Sequence, residues 1–324
     1  MIEMSVIIMT PDNYATVRRV VNCLRVQTVR KQLEIVVVVP SLEDFHEDEN
    51  VRADFGAWQV VVFHPILSTA QARAAGIRVA TAPIIVLTED HSFPEPTWAE
   101  AFIRAHRGTW AVVGPAVINA NPDSIVSWTN FLIEYNEWLD PVSSGIAAQL
   151  PGHNSAYKRD ILLQYGDRLE QLLEAESVLQ WDLRAKGYQL YRESSAKTSH
   201  LNYSQFYPTF PLRFYAARLF AHTRALDWSL WHRLLYIVGS PLIPWVRLFR
   251  IVRQLRKPGR HIARLWNILP VMVWFLMIDA MGEAVGYVWG AGAAALKITD
   301  YDFHRERFLN AHDRQILKYE FAQT

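Results

Sequence analysis

The chain has 324 residues, with 33 Lys+Arg against 32 Asp+Glu for a formal charge of +1, and 51% hydrophobic residues including 12 Trp, 13 Tyr and 15 Phe. This balance excludes a highly charged disordered chain and a uniformly basic nucleic-acid binder, so no nucleic-acid partner is expected. A single cysteine, Cys23, excludes an intrachain disulfide framework and a cysteine-based zinc site.

Met4–Met9 (MSVIIM) is a continuous apolar run, which suits a strand buried on both faces of a parallel sheet, and it stops at Thr10-Pro11. It carries neither the basic flank nor the cleavage site of a secretory signal. Tyr14–Val26 places Val17, Val20, Val21 and Leu24 at helical spacing, with Cys23 on the apolar side as a small core residue. Glu34–Val39 (EIVVVV) predicts a second buried strand closed by Pro40, and Trp58–Phe63 a third. A helix over Thr69–Ala80, a strand over Ile84–Thr88, a helix over Pro96–His106 and a short strand over Trp110–Pro115 follow. Strands alternating with helices predict an α/β fold with a mostly parallel sheet flanked by helices.

Ligands of such sheets bind outside the carboxyl ends of the strands. Thr10-Pro11-Asp12, Pro40–Asp44 and Glu89-Asp90-His91 are therefore expected to converge on one crevice. No glycine-rich phosphate loop follows the first strand, so another group must neutralise any bound phosphate. Two acids and a histidine directly after a strand can hold a hard divalent cation, with diphosphate oxygens completing its shell. An ordinary charged loop is the plain alternative.

The order SVIIMT, EIVVVVPSLED and AQARAAGIRVATAPIIVLTEDHSFPEPTWAE resembles the family 2 glycosyltransferases of GT-A fold. Arg73, Gly76 and Ile77 match the ARNxGI segment of that family, with Ala74 in place of its Asn. Glu89-Asp90-His91 occupies the acidic triplet, with His91 where a third carboxylate is common. LPGHNSAYKRDI (Leu150–Ile161) resembles the segment lining the sugar site, and EAESVLQWDLRAKGY (Glu174–Tyr188) the helix that carries the catalytic carboxylate. Aligning Leu183 and Gly187 puts Glu176 on that carboxylate and Ala175 on its acidic neighbour; Glu174 is the candidate if the register slips by two. Ser194–His200 resembles the last strand.

The resemblance covers residues 4–205 and implies a GT-A-type Rossmann-like catalytic domain over 1–205. It implies inverting transfer from a nucleotide-sugar donor, with Mg or Mn as the metal. Glu176 is the expected general base, and Asp90 the main metal ligand with His200 completing the shell. Thr10, Pro11, Asp12 and Asp44 fit the nucleoside side of the donor. Arg73 pairs with a phosphate or with one of the acids. Glu89 and His91 are expected near the metal and phosphates, and His153 and Asn154 against the sugar, where turn chemistry is the alternative. Trp128, Phe131, Tyr135 and Trp138 share one helical face, either as core or as an apolar wall of the acceptor site.

The C-terminal third differs. Arg213–Arg264 holds ten Arg and one Lys against a single acid, Asp227. Arg247, Arg250 and Arg253 recur at every third position, as in a helix lying among lipid headgroups, and Trp228, Trp231, Trp245 and Trp266 surround them. Trp266–Leu296 is the most hydrophobic stretch, divided by Asp279 and Glu283 into Asn267–Ile278 and Ala284–Leu296, each shorter than the ~20 residues a span needs. One tilted span, if both acids face protein, and interfacial or re-entrant helices both remain open, and a soluble helical lid is the alternative. Residues 206–324 are thus expected as a helical, membrane-associated region, with membrane lipids and a lipid-linked or membrane-presented acceptor as partners and the catalytic domain on the cytoplasmic face. Two other functions stay in view. A sugar nucleotidyltransferase would need a glycine-rich basic loop that Thr10–Thr16 lacks, and a catalytically degenerate donor-binding subunit would explain Ala74, His91 and Ala175.

Overall fold

The computed structural model describes residues 1–257 and 265–318; Arg260 and Arg264, part of the basic excess, lie outside the described residues. The strands are β1 (Met4–Met9), β2 (Leu33–Val39), β3 (Ala57–Val62), β4 (Ile84–Leu87), β5 (Ser92–Pro94), β6 (Val112–Asn119), β7 (Gly145–Ala147), β8 (Ala156–Lys158) and β9 (Leu190–His200). The helices are α1 (Tyr14–Arg25), α2 (Thr69–Val79), α3 (Trp98–Ala105), α4 (Ile125–Tyr135), α5 (Arg159–Leu163), α6 (Arg168–Leu173) and α7 (Glu176–Ala185). There follow α8 (Phe206–Arg224), α9 (Leu230–Gly239), α10 (Ile243–Leu255), α11 (Leu265–Trp289), α12 (Ala294–Phe303) and α13 (Ala311–Lys318). Two compact units result: Met1–Ile118 with Val142–His200, and Asn119–Pro141 with Leu201–Ile316.

In the first unit the sheet order is β3-β2-β1-β4-β8-β6-β9-β5, with β7 on β9. β3, β2, β1 and β4 run parallel. β8 is antiparallel to β4 and β6, and β5 and β7 are antiparallel to β9. The sheet is therefore mixed: the parallel half is the part that the long apolar runs announced, while β6 and β9 with the short β5, β7 and β8 build the rest. Every residue of β1 and β2 is buried, and each large aliphatic side chain there contributes about 1.5–3 kcal/mol relative to exposure. α1 starts where the Asn13 side chain accepts from the Ala15 N–H, and it buries Val17, Val20, Val21, Cys23 and Leu24. α2 starts at Ser68, which accepts from the Ala70 N–H, and presents Ala70, Ala72, Ala74 and Gly76 inward.

One carboxylate sits inside the buried run of β2. Glu34 is fully buried and accepts from the Ser5 hydroxyl, Gln59 Nε2 at 2.5 Å, Thr81 N at 2.7 Å and Thr81 Oγ1 at 2.9 Å. Burial pushes its carboxyl up, but these hydrogen bonds outweigh that and hold it below the usual carboxylate range.

The second unit is helical. α8 lies along α11, and a side chain at Gly282 or Gly286 would collide with the carbonyl oxygens of Phe214 and Arg218. α11 runs unbroken through Asp279 and Glu283, so the two acids divide the apolar stretch in composition but not in backbone. The reason is that neither acid faces outward. Asp279 accepts from Arg213 Nε at 2.8 Å, from Arg213 Nη2 and from Arg247 Nη1 at 2.7 Å, and Glu283 accepts from the Tyr287 hydroxyl at 3.0 Å. Arg213 also donates to Glu134 on α4 at 2.8 Å. Arg247 thus leaves the open basic stripe expected of it, and only Arg250 and Arg253 of that triplet are exposed. Trp128, Phe131, Tyr135 and Trp138 form a ladder of ring contacts at 5.5–6.4 Å, with Phe131, Tyr135 and Trp138 buried, which is core packing. Leu230–Leu255 and Leu265–Trp289 are each long and apolar enough to cross a membrane, by length and composition.

Candidate active site

Because β1, β2 and β4 are parallel neighbours, the loops after Met9, Val39 and Leu87 leave the sheet at one edge. Within that edge the expected residues separate. Thr10 is buried and its hydroxyl donates to the Asn13 carbonyl at 2.8 Å. Pro11 is half-buried. Asp12 accepts from the Asn13 N–H at 2.6 Å and from the Thr16 hydroxyl at 3.0 Å, so its carboxylate closes the first turn of α1. Asp44 is exposed on the loop after β2.

The chemistry gathers after β4. β5 pairs with β9 so that Ser92 lies opposite His200, which sets the end of β9 beside the Glu89–His91 loop. Glu89, His91 and His200 are all buried, and one ligand atom from each lies within 4.8 Å of the others. His91 Nε2 and His200 Nε2 are each 3.5 Å from Glu89 Oε2. Asp90, expected as the main ligand, is not in this group: its carboxylate lies 2.6 Å from His91 Nδ1. In a strand-to-loop turn successive side chains diverge. Glu89 and His91 therefore share the side facing His200, while Asp90 abuts the outer nitrogen of His91.

Asn154 holds this turn in place. It adopts a left-handed backbone, φ 62°, which asparagine tolerates better than most residues. Its N–H donates to the Leu87 carbonyl at 2.7 Å, its Oδ1 accepts from Thr88 Oγ1 at 2.8 Å, and its Nδ2 donates to Ser92 Oγ at 3.0 Å. Its polar atoms are thus committed to the loop rather than turned to a sugar.

Glu176 is the first residue of α7 and is buried. Arg73 Nη1 donates to its Oε1 at 2.6 Å, and His153 Nδ1 lies 3.1 Å from the same oxygen and 3.6 Å from Glu89 Oε1. Of the two partners left open for Arg73, the structure shows an acid. Gly152 packs against this carboxylate, and a Cβ there would sit 2.8 Å from Glu176 Oε2 and displace it. Burial pushes the Glu176 carboxyl up, but His153 and Arg73 outweigh it and hold it down at about 2. Burial lowers His153, and the two facing carboxylates of Glu176 and Glu89 more than reverse that, raising it to about 9. Burial likewise works against ionisation of Glu89, yet His153, His91 and His200 hold it well below the usual range. Glu174 ends α6 and takes the Ser68 hydroxyl, and burial pushes its carboxyl up.

The site therefore combines a one-carboxylate, two-imidazole group with a second, ionised carboxylate one histidine away. The bridging position of His153 and the support from Ser92 carry no sequence signal, since both depend on which loops meet.

Comparison with known proteins gives an independent view of this architecture. No family model matches the chain. A mannosyltransferase from Pyrobaculum calidifontis, solved with GDP-Man and Mn2+, superimposes with a TM-score of 0.53 at 16% identity, covering 89% of this chain and 87% of that one. The fold is that of the GT-A glycosyltransferases. Residues 1–349 of S. aureus TarS match less closely, with a TM-score of 0.48 at 16% identity over 93% of this chain and 91% of that one. In sequence, the glucosyl-dolichyl phosphate glucuronosyltransferase of Haloferax volcanii is 26% identical over 178 residues, 51% of this chain and 55% of its own length. The chain thus spans about half the length of this curated relative. Together with the GT-A fold, this supports the resemblance to family 2 drawn from the sequence.

Proposed function

We propose that this chain is a membrane-associated glycosyltransferase that moves a sugar, with inversion, from a nucleotide-sugar donor to a lipid-linked acceptor. Residues 1–205 form the catalytic part and residues 206–324 the membrane-associated part. The observation that carries the reading is the buried Glu89–His91–His200 group beside the ionised Glu176, at the carboxyl edge of a GT-A sheet. The H. volcanii relative acts, by its name, on a dolichyl phosphate-linked sugar, and the P. calidifontis structure holds GDP-Man and Mn2+.

The donor set fits a divalent metal. Two buried imidazoles with one carboxylate form an N/O site, and imidazole ligation favours a transition ion such as Mn over Mg. Glu89, His91 and His200 would hold the ion, and it would neutralise the leaving diphosphate as a Lewis acid. The protein's own residues do the rest. Glu176 is ionised at neutral pH and takes the proton of the acceptor hydroxyl as that oxygen attacks the anomeric carbon. The bond from that carbon to the diphosphate oxygen breaks, and the electron pair leaves with the nucleotide. Arg73 and His153 keep the Glu176 carboxylate in place. The Thr10–Asp12 turn and Asp44 lie on loops at the same edge for the nucleoside. A chain whose one cysteine is free and buried suits the reducing cytoplasmic face.

The test is a donor screen on the full chain in detergent or vesicles, with Mn, Mg or chelator. Metal-dependent release of nucleoside diphosphate from one donor, faster with a lipid-phosphate sugar present, is expected. Failure of every nucleotide sugar to bind or react with Mn present would overturn the reading.

A further inference from the structure

The second unit exposes a continuous apolar face. Trp231, Leu235, Val238, Leu242, Trp245 and Phe249 follow one another at intervals of three and four residues through α9, the short turn at Ser240–Leu242 and α10, and all six are 58–81% exposed. That spacing keeps them on one side of a helix. The outer side of α11 adds exposed Trp266, Trp274, Met277 and Met281. Just beyond, Arg250, Arg253, Arg256 and Lys257 are exposed as well. A large apolar face rimmed by one sign of charge marks an interaction surface, and apolar, tryptophan-bearing helices with basic residues alongside match the boundary of an anionic bilayer.

Two apolar helices could also form a spanning hairpin, and the buried charges decide between the two. Tyr236 packs on Tyr287, and Arg247 bonds Asp279, so Leu230–Leu255 and α11 lie side by side in opposite directions. Arg213, Arg247, Asp279 and Glu134 meet at one level of this pair. From Asp279 back to Leu265, fourteen residues of helix cover about 21 Å, and from Arg247 to Lys257 about 15 Å. The basic end cannot cross a hydrocarbon core of about 30 Å unless that charged level, with α4 and α8, enters the core too. α8 carries Arg213, Arg218 and Arg224, whose burial in lipid is costly.

We infer that α9, α10 and α11 do not span: they lie in the plane of one leaflet, with the apolar face among the acyl chains and Arg250, Arg253, Arg256 and Lys257 among anionic headgroups. This rests on the membrane association proposed above and is independent of the sugar chemistry.

Single cysteines test it, because Cys23 is buried and does not compete for reagent. In sealed vesicles from cells expressing the full chain, an impermeant maleimide should label Lys257→Cys and Asp227→Cys from the same side. A polarity-sensitive probe on Phe249→Cys should report an apolar surrounding. Labelling of the two sites from opposite sides overturns the in-plane arrangement while leaving membrane association standing. The triple variant R250E/R253E/R256E should lose on the order of 100-fold in binding to phosphatidylglycerol-containing vesicles at low salt, at about 1 kcal/mol for each basic residue. Unchanged binding overturns the headgroup role. Wild-type protein that ignores these vesicles and instead dimerises in solution through this face overturns the membrane reading itself.

Discussion

The two units each bury a cluster of charges, and the clusters are built on opposite principles. In the helical unit, Asp279 faces a two-pronged contact from Arg213 and a further contact from Arg247, all at ordinary or short hydrogen-bond distance. Charges matched this closely are a staple. In the α/β unit, Glu89 is ringed by the imidazole nitrogens of His91, His153 and His200 at 3.5–3.6 Å and accepts from Ser92 at 3.2 Å and Asn154 at 3.5 Å. These contacts are longer than the 2.7–2.8 Å bonds on Asp279, so the groups around Glu89 are spaced more loosely, as a ligand site needs. The same residue types therefore mean different things according to how completely they satisfy one another.

The contrast can be broken most directly at Glu176. Glu176→Gln keeps the shape and loses the proton acceptor, so kcat should fall 10²–10⁴-fold with donor affinity nearly unchanged. Glu174→Gln, whose carboxylate is turned to Ser68, should fall far less. Steady-state kinetics on both variants decide the matter, and the reverse ranking would mean that Glu174 is the base.

The staple should fail in the opposite way. Asp279→Asn removes the two-pronged counter-charge of the buried Arg213, leaving it Glu134 at 2.8 Å, and should cost up to about 3–5 kcal/mol of stability. Denaturation of the purified variant measures it. If that variant melts like the wild type, the helical cluster is not a staple and the distinction drawn above collapses.

His106 sharpens the comparison as a buried imidazole with no acidic partner among the described residues. Burial is the main reason its pKa is held down to about 4; the Ala156 carbonyl at 3.2 Å opposes the shift and nearby Lys158 assists it. Between its unfolded value near 6.5 and 4, the unfolded chain binds a proton that the folded chain refuses. The contribution is complete above pH 6.5 and is lost as pH falls towards 4, by at most about 3 kcal/mol. His106→Gln should flatten that part of the stability–pH curve, and an unaltered curve would count against the burial argument.

The smallest expected effect concerns Asp90. If it orients His91 from outside the metal group, Asp90→Asn should weaken Mn binding roughly 10–100-fold. Complete loss of Mn binding, read by calorimetry, would make it a direct ligand after all.

Much of the fold was legible in the residues. β1, β2 and β4 were readable because strands buried on both faces must be apolar without interruption. α1 was readable because a half-buried helix repeats its apolar residues every three to four positions. β5, β7 and β8, three residues each, are too short to show any period. Glu34 was read only as part of a buried strand, and its four donors come from three distant segments. In the site, polar residues directly after a strand pointed to Glu89–His91, since strand ends are where an α/β crevice forms, whereas His153, Glu176 and His200 were reached only through the resemblance to family 2. Which of them touch was decided by the β5–β9 register and the left-handed turn at Asn154.

The same division holds in the C-terminal third. Local sequence determined that it is helical, basic and rich in tryptophan, because period and composition are properties of neighbouring residues. Only the tertiary structure decided that Asp279 and Glu283 turn inward and leave α11 unbroken, that Arg247 joins them while Arg250 and Arg253 stay outside, and that the aromatic ladder of α4 is core. Each of those outcomes depends on partners dozens of residues away, and a buried charge is tolerated only where such a partner arrives.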